Sequence, residues 1–497
     1  MGDEDRRNGP MPSCSDSKHP SKDTVTIHIT TRAGFETPNL RVCIIGAGKS
    51  GLIACKVLHE RKIPYDCFEA SSQVGGLWVL DSDNGLSAAY ESLRINTSKQ
   101  MTSFHDFPMP KHYPTYPSRT EILEYLEAYT DHFGFRKNIV LRTEVTKVEQ
   151  LPQGNFRVLT EDKASGHTAS RLYTSVLVAN GHHWNAAWPE LAGDFSGTLM
   201  HSHEYRTPKV MEGKRLMVIG AGNSGMDIAS EASQCGAAAV FLSCRRPVHV
   251  VPRYIFGTPS DSILPAWLGI TAPRRLLEAG VTCLIRLSRG SQASFKFPPP
   301  KFGLLRVHPT VSPGTGDILQ LIKDGKVLVR PGIERVEEHT VHFTDGTTED
   351  VDIIVCATGY NVCCPFLPPN VEVLKEDKPQ LLLNVVHPRA PGIFFLGFVQ
   401  AHGPMIPCVE GQMPWVADLI QGIAELPAED KMEAKIAQQH EFNRRNFTQV
   451  KRHALMVEFH RYLLQLRMAR CPKGKGWLAR KLWKTKTFIA FCTGKTC

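Results

Sequence analysis

The sequence predicts an α/β chain built from two doubly wound units, the second inserted into the first. Three observations carry that prediction. An apolar strand, a glycine-spaced turn and a helix follow one another at residues 40–61. The same succession recurs from residue 215. Apolar strand-like runs then return after the second succession, at 351–360 and 392–400. A chain of 497 residues exceeds what one compact core holds, so two or three domains are the default. With 42% hydrophobic and 22% charged residues it has the make-up of an ordinary globular enzyme.

The first succession reads LRVCIIGAGKSGLIACKVLHERKIPYDCFEAS. Its first six residues are a short apolar run suited to a buried parallel strand. Gly46, Gly48 and Gly51 then set a G-x-G-x-x-G spacing, and residues 49–61 have helical character. The glycines serve a tight turn, close backbone approach to a pyrophosphate and close helix–strand packing. The anion sits at the helix N-terminus, where free N–H groups and the helix dipole favour negative charge. A second strand ends at Glu69, 23 residues beyond Gly46. That acid suits ribose hydroxyls and repels a 2′-phosphate, by up to ~4 kcal/mol at a separation of about 4 Å and an effective dielectric of about 20. The first Rossmann-type unit is therefore expected to take FAD or NAD.

The second succession, GKRLMVIGAGNSGMDIASEASQCGAAAVFLSCRRP, repeats the spacing as Gly220, Gly222, Asn223, Ser224 and Gly225. Its second strand ends in Arg245 and Arg246 with no acid. Arginine at that place can hold a 2′-phosphate bidentately, so this unit is expected to take NADPH; a merely solvated basic face is the plainer alternative. Two such motifs, 174 residues apart and with opposite charge at the discriminating position, argue for two different dinucleotides.

Ser118 to Glu121 form a capping box opening an amphipathic helix that ends at Gly134. Residues 139–180 alternate in three short runs, an antiparallel meander leading to another buried strand. The expected organisation is an extension over 1–37, a first FAD part over 38–194, an NADPH domain over 195–345, a second FAD part over 346–466, and a tail over 467–497. The segment from Tyr254 to Phe302 is expected to shape access to the site.

The N-terminus is polar, with no secretory apolar stretch, and Arg6 stands where a myristoylation signal wants Ser or Thr. No apolar run reaches the roughly 18–20 residues that span a bilayer. A cytoplasmic protein is expected. From Arg467 onward the chain has nine Lys or Arg and no acid, a surplus equal to the whole net charge of +9. Trp477, Trp483 and Phe488 are interleaved with them. Such a tail could lie on an anionic membrane surface, or it could pack its apolar side on the body of the protein. Nucleic acid is not expected, since the rest of the chain is near neutral and no recognition motif occurs. The 14 cysteines show neither metal-ligand spacing nor a CxxC pair, so no metal is expected.

Over roughly residues 38–470 the chain resembles the flavin-containing monooxygenases. Beyond the two glycine motifs, the resemblance rests on FEASSQVGGLW, with Glu69, Gly75, Gly76, Leu77 and Trp78, and on YESLRINTSKQMTSFHDFPMP, with Asn96. It rests also on DFSGTLMHSHEYR, which carries F-x-G-x-x-x-H-x-x-x-Y as Phe195, Gly197, His201 and Tyr205. GFVQAHGPMIPCVEGQMPW is similar to the family's C-terminal flavin-side segment. The resemblance implies that Gly76, Leu77, Trp78 and Gln412 contact FAD, that His201 helps organise the two nucleotides, and that Asn96 is the active-site amide. In that last segment Pro414 departs from the family's pattern. Because Pro is tolerated only in a helix's first turn, the helix there is expected to begin at about Pro414.

The reaction implied is oxygenation of a soft nitrogen or sulfur nucleophile by NADPH and O2, through a hydroperoxide on flavin C4a. Three other readings compete. A disulfide reductase needs a redox cysteine pair near the flavin, and Cys55 and Cys67 lack that spacing. A Baeyer–Villiger oxygenase of ketones shares the cofactors. A non-catalytic nucleotide-binding protein would bind FAD without NADPH-dependent oxygen uptake.

Overall fold

A computed structural model describes residues 40–448, 454–472 and 477–493. The extension expected over 1–37 lies outside the described residues, as does part of the tail.

The apolar run after Leu40 forms the strand Val42–Ile45, buried on both faces, and the helix Lys49–Glu60 follows directly. This strand is the centre of a five-stranded parallel sheet. On one side it pairs with Tyr65–Phe68, which pairs with Ile139–Val140. On the other it pairs with Ser175–Val178, which pairs with Ile393–Phe395. The helix Arg119–His132 opens with the expected capping box: Ser118 and Glu121 satisfy each other's backbone N–H groups. The expected meander is an antiparallel sheet of Thr143–Gln150, Phe156–Asp162 and Thr168–Tyr173.

A second parallel sheet of five strands has Arg215–Ile219 at its centre. Ala239–Ser243 and then Leu328–Arg330 lie on one side. Ile353–Cys356 and then Thr198–His201 lie on the other. Insertion of one unit into the other therefore holds, but its end differs from the expected residue 345. Ile353–Cys356 is wholly buried and belongs to the second sheet; the chain rejoins the first sheet only at Ile393. A run of apolar residues announces a buried strand without saying which of two sheets takes it.

The helix expected from about Pro414 runs instead over Ile406–Ile420, with Pro414 inside it. Proline there leaves the Glu410 carbonyl without its helical partner, at a typical cost of ~3 kcal/mol. The burial of Val409, Met413, Trp415 and Val416 in the first unit's core offsets this. Local propensity yields to packing.

The segment after Tyr254 folds into the helices Ala266–Thr271 and Arg274–Arg289. Arg274 ties it to the C-terminal part through an ion pair with Glu458, while its guanidinium lies over the Phe447 ring, 5.0 Å from the centroid. In the tail helix Trp477–Cys492, Thr487 and Phe491 are buried, and Arg467 lies over the Phe491 ring, 4.8 Å from its centroid. Among the described residues no helix is long and apolar enough to cross a membrane.

Candidate active site

Both glycine turns sit at the carboxyl ends of the central strands of their sheets, where open α/β sheets form ligand crevices. Gly46 has φ +98°, and a Cβ there would stand 2.7 Å from the Ala179 oxygen. A Cβ on Gly51 would stand 1.8 Å from the Gly46 oxygen, so only glycine lets the helix pack so close to the strand. Gly220 and Gly225 repeat this arrangement in the second unit, at 2.6 Å from the Ala357 oxygen and 1.9 Å from the Gly220 oxygen. Gly48 and Gly222 cap the two helices without a side-chain cap bond, and neither first turn holds an acid. The helix N–H groups therefore face outward unclaimed, as a pyrophosphate requires.

One continuous cavity of about 3310 Å³ joins the two turns. Gly46, Gly48, Glu69, Gly76, Leu77 and Trp78 line its first end. Gly220, Gly222, Asn223, Ser224, Arg245 and Arg246 line its second. Asn96 lines the stretch between. The residues present fit a dinucleotide at the first end. The turn Gly76–Trp78 packs backbone to backbone on the glycine loop, where a Cβ on Gly76 would meet Gly48 Cα at 3.0 Å.

Glu69 is buried, and both its oxygens are engaged by backbone: Oε2 accepts from Ala47 N–H at 2.7 Å, Oε1 from Ser71 N–H at 3.0 Å. Burial raises its pKa against those two bonds, which lower it. The acid thus fixes the shape of the glycine loop. Arg245 and Arg246 are exposed to the cavity, and among the described residues neither has a carboxylate partner. That free pair is the electrostatic opposite of Glu69. Asn223 leads the second helix and accepts from Val311 N–H at 3.0 Å.

Asn96 is half-buried, with Oδ1 3.5 Å from an Arg253 nitrogen. Arg253 also donates to the carbonyls of Ile95 at 2.7 Å and Ser312 at 3.0 Å, so it clamps the Asn96 loop to the inserted unit. Nothing in the sequence pattern singled out Arg253, because its partners are backbone oxygens distant in the chain.

Two expected site residues, besides the packing glycines, have other roles or positions. Gln412 does not line the cavity. Its Oε1 accepts from Gly397 N–H at 3.0 Å and its Nε2 donates to Tyr462 Oη at 2.7 Å, both fully buried. It therefore acts through Gly397, which does line the cavity. His201 is also buried away from the cavity, its Nδ1 accepting from His203 N–H at 3.0 Å and its ring packed near Trp188 and Tyr360. Burial pushes its pKa down to about 4, so it stays neutral. Tyr205, which closes the same pattern, donates to Glu231 on the helix Asn223–Gln234. A Cβ on Gly197 would fall 2.5 Å from the Asp352 oxygen. The pattern thus packs the edge strand Thr198–His201 and the turn after it onto the inserted unit. Asp227, one turn before Glu231, accepts from Tyr90, and burial lifts its pKa to about 7.

Residues 39–475 match the family model described as flavin-binding monooxygenase-like. Flavin-containing monooxygenase 5 of Oryctolagus cuniculus is 34% identical over 441 residues, covering 84% of this chain and 80% of its own. Flavin-containing monooxygenase 1 of Canis lupus familiaris is 34% identical over 417 residues, covering 80% of this chain and 76% of its own. Among solved structures, S-allyl-L-cysteine S-oxygenase from Allium sativum aligns with a TM-score of 0.65 at 23% identity, over 90% of this chain and 92% of that one. The closed form of cyclohexanone monooxygenase aligns at 0.61 and 19%, over 92% and 98%; both likenesses speak to fold alone. With two glycine turns opening on one cavity, the chain belongs to the flavin-binding monooxygenase-like family: it is an FAD- and NADPH-dependent monooxygenase.

Proposed function

We propose that the Glu69 end of the cavity holds FAD, that the Arg245–Arg246 end holds NADPH, and that Asn96 is the catalytic amide between them. The observation that carries this reading is the charge contrast along one cavity: a buried carboxylate at one adenosine end, two unpaired guanidiniums at the other. In this assignment the N-terminus of the Lys49–Glu60 helix faces the FAD pyrophosphate, and that of the Asn223–Gln234 helix faces the pyrophosphate of NADPH. FAD, when bound, supplies the hydride acceptor and the oxygen-activating ring.

The protein's own contribution is placement and dryness. Arg253 draws Asn96 Oδ1 toward itself and so turns the amide N–H2 toward the cavity as a donor. The same arginine holds the loop closed against the inserted unit, which restricts water at the reacting centre. Asn96→Ala is expected to keep NADPH-driven flavin reduction near the native rate while diverting most of the consumed oxygen to hydrogen peroxide. Stopped-flow reduction rates and a peroxide assay measure both, and tight coupling in that variant would remove Asn96 from its role.

We infer further that the tail helix Trp477–Cys492 lies on an anionic membrane surface on its cytoplasmic face. Leu482 and Ile489, two turns apart on one helix face, are 54% and 55% exposed beside the exposed Lys481, Lys484 and Lys486. Co-sedimentation with anionic vesicles, lost when the three lysines become glutamates, tests it.

A further inference from the structure

We propose that Lys49, together with the N-terminus of the Ile406–Ile420 helix, sets a positive charge against the flavin ring and selectively stabilises its reduced, anionic form. The proposal rests on the assignment of FAD to the Glu69 end.

Lys49 occupies a variable position of the first glycine motif, directly after Gly48, and lines the cavity. Among the described residues it has no carboxylate partner. The titratable groups that face it are Cys408, in the first turn of the Ile406–Ile420 helix, and His182 and His183, in the turn after the Ser175–Val178 strand. All three are uncharged near neutral pH. Burial lifts the Cys408 thiol to about 12, lowers His183 to about 4 and holds His182 well below its usual value. The ammonium itself is drawn down to about 8 by burial, so it remains mostly protonated at pH 7. A half-buried cation without a counter-ion is unfavourable until an anion arrives.

A second feature points to the same place. The Ile406–Ile420 helix has no side-chain cap bond and no acid in its first turn, and Met405 and Ile406 line the cavity. Its positive end and the Lys49 ammonium therefore converge around Cys408. The strand order says which part of FAD they meet. Glu69 follows the strand on one side of Val42–Ile45, whereas His182 and His183 follow Ser175–Val178 on the other. Lys49 thus reaches away from the adenosine end, toward the side left for the ring. Hydride transfer from NADPH to the neutral oxidised ring yields NADP⁺ and a reduced ring carrying one negative charge. That charge appears where the ammonium and the helix end already wait.

The test uses the full-length holoprotein and its Lys49→Met and Lys49→Arg variants. The flavin midpoint potential is read by dye-equilibrated reduction, and oxidised FAD and ADP are titrated into the apoproteins. Lys49→Met is expected to bind oxidised FAD within twofold of native. Its preference for reduced over oxidised flavin should fall about tenfold, a shift of ~30 mV to more negative potential for a two-electron couple. Lys49→Arg should restore most of it, and Lys49→Gln gives the same contrast should the Met variant fold poorly. An unchanged potential overturns the proposal. So does an equal loss of affinity for oxidised FAD and ADP at unchanged potential, which would assign Lys49 to the pyrophosphate. Failure of the underlying assignment looks different: Gly48→Val, whose branches fill the phosphate cradle, would still purify with a full complement of FAD.

Discussion

Replacing Glu69 by Gln perturbs one side chain and tests the adenosine end of the first site. In the native protein the two carboxylate oxygens accept from Ala47 N–H at 2.7 Å and Ser71 N–H at 3.0 Å. Gln preserves the shape but offers one acceptor, so an NH2 group must face one of the two N–H donors. A buried donor left unsatisfied costs about 1–3 kcal/mol, and a hydrogen bond to a charged group contributes about 1.5–3 kcal/mol. Ala47 lies between Gly46 and Gly48, so the strain falls on the loop that receives the pyrophosphate. The neutral side chain also escapes the burial cost that raises the native carboxyl's pKa, which offsets part of the loss in the apoprotein. A net weakening of FAD binding by about 2–3 kcal/mol follows, or roughly 30- to 150-fold in dissociation constant. The apoprotein itself should melt only slightly lower. Recovery of FAD fluorescence on serial dilution gives the constant, and thermal unfolding with and without added FAD separates affinity from stability. A Glu69→Gln protein that keeps FAD within threefold of native would refute the role given to this carboxylate.

Other outcomes follow from the same structure. Arg245→Ala with Arg246→Ala removes two unpaired guanidiniums from the second end and should raise KM for NADPH about 10- to 100-fold while leaving KM for NADH within threefold, from charged bonds of about 1.5–3 kcal/mol; an unchanged preference would overturn the assignment. Pro414→Ala restores a helical N–H to the Glu410 carbonyl and should stabilise the protein by about 1–3 kcal/mol in urea unfolding. Glu410 is lifted to about 7, chiefly by burial and against the bond from His105 N–H. Its folded pKa lies above the unfolded value of about 4.3. The protonated form therefore favours the fold, and that stability is present below about pH 4 and lost as pH rises toward 7. Glu410→Gln should flatten this decline, by on the order of 3 kcal/mol between those limits, when urea midpoints are compared across pH.

The parts of this protein legible in its sequence are those governed by neighbours in the chain. Gly46, Gly48 and Gly51 lie within one turn, and their backbone demands arise among themselves and the adjoining strand. Glu69 and the Arg245–Arg246 pair sit at ends of strands whose spacing from the glycines a βαβ unit dictates. The capping box at Ser118 is equally local. From these came the two nucleotide folds and their charge contrast; the class of chemistry came from the longer resemblance to the flavin-containing monooxygenases.

Tertiary structure decided whatever depended on partners far apart in sequence. Whether Ile353–Cys356 joined the first or the second sheet was a choice between two buried surfaces that its apolar residues suit equally. Gln412 left the cavity because Gly397 and Tyr462 claim both ends of its amide, and His201 because the strand Thr198–His201 turns its ring into the core. Pro414 could enter a helix only because burial of its neighbours outweighed a broken hydrogen bond. Lys49 occupies a variable position between glycines, and only folding brought two neutral histidines and a helix end around it. Short-range geometry is written in residue spacing; the energy of burying one group against another exists only once the chain has closed on itself.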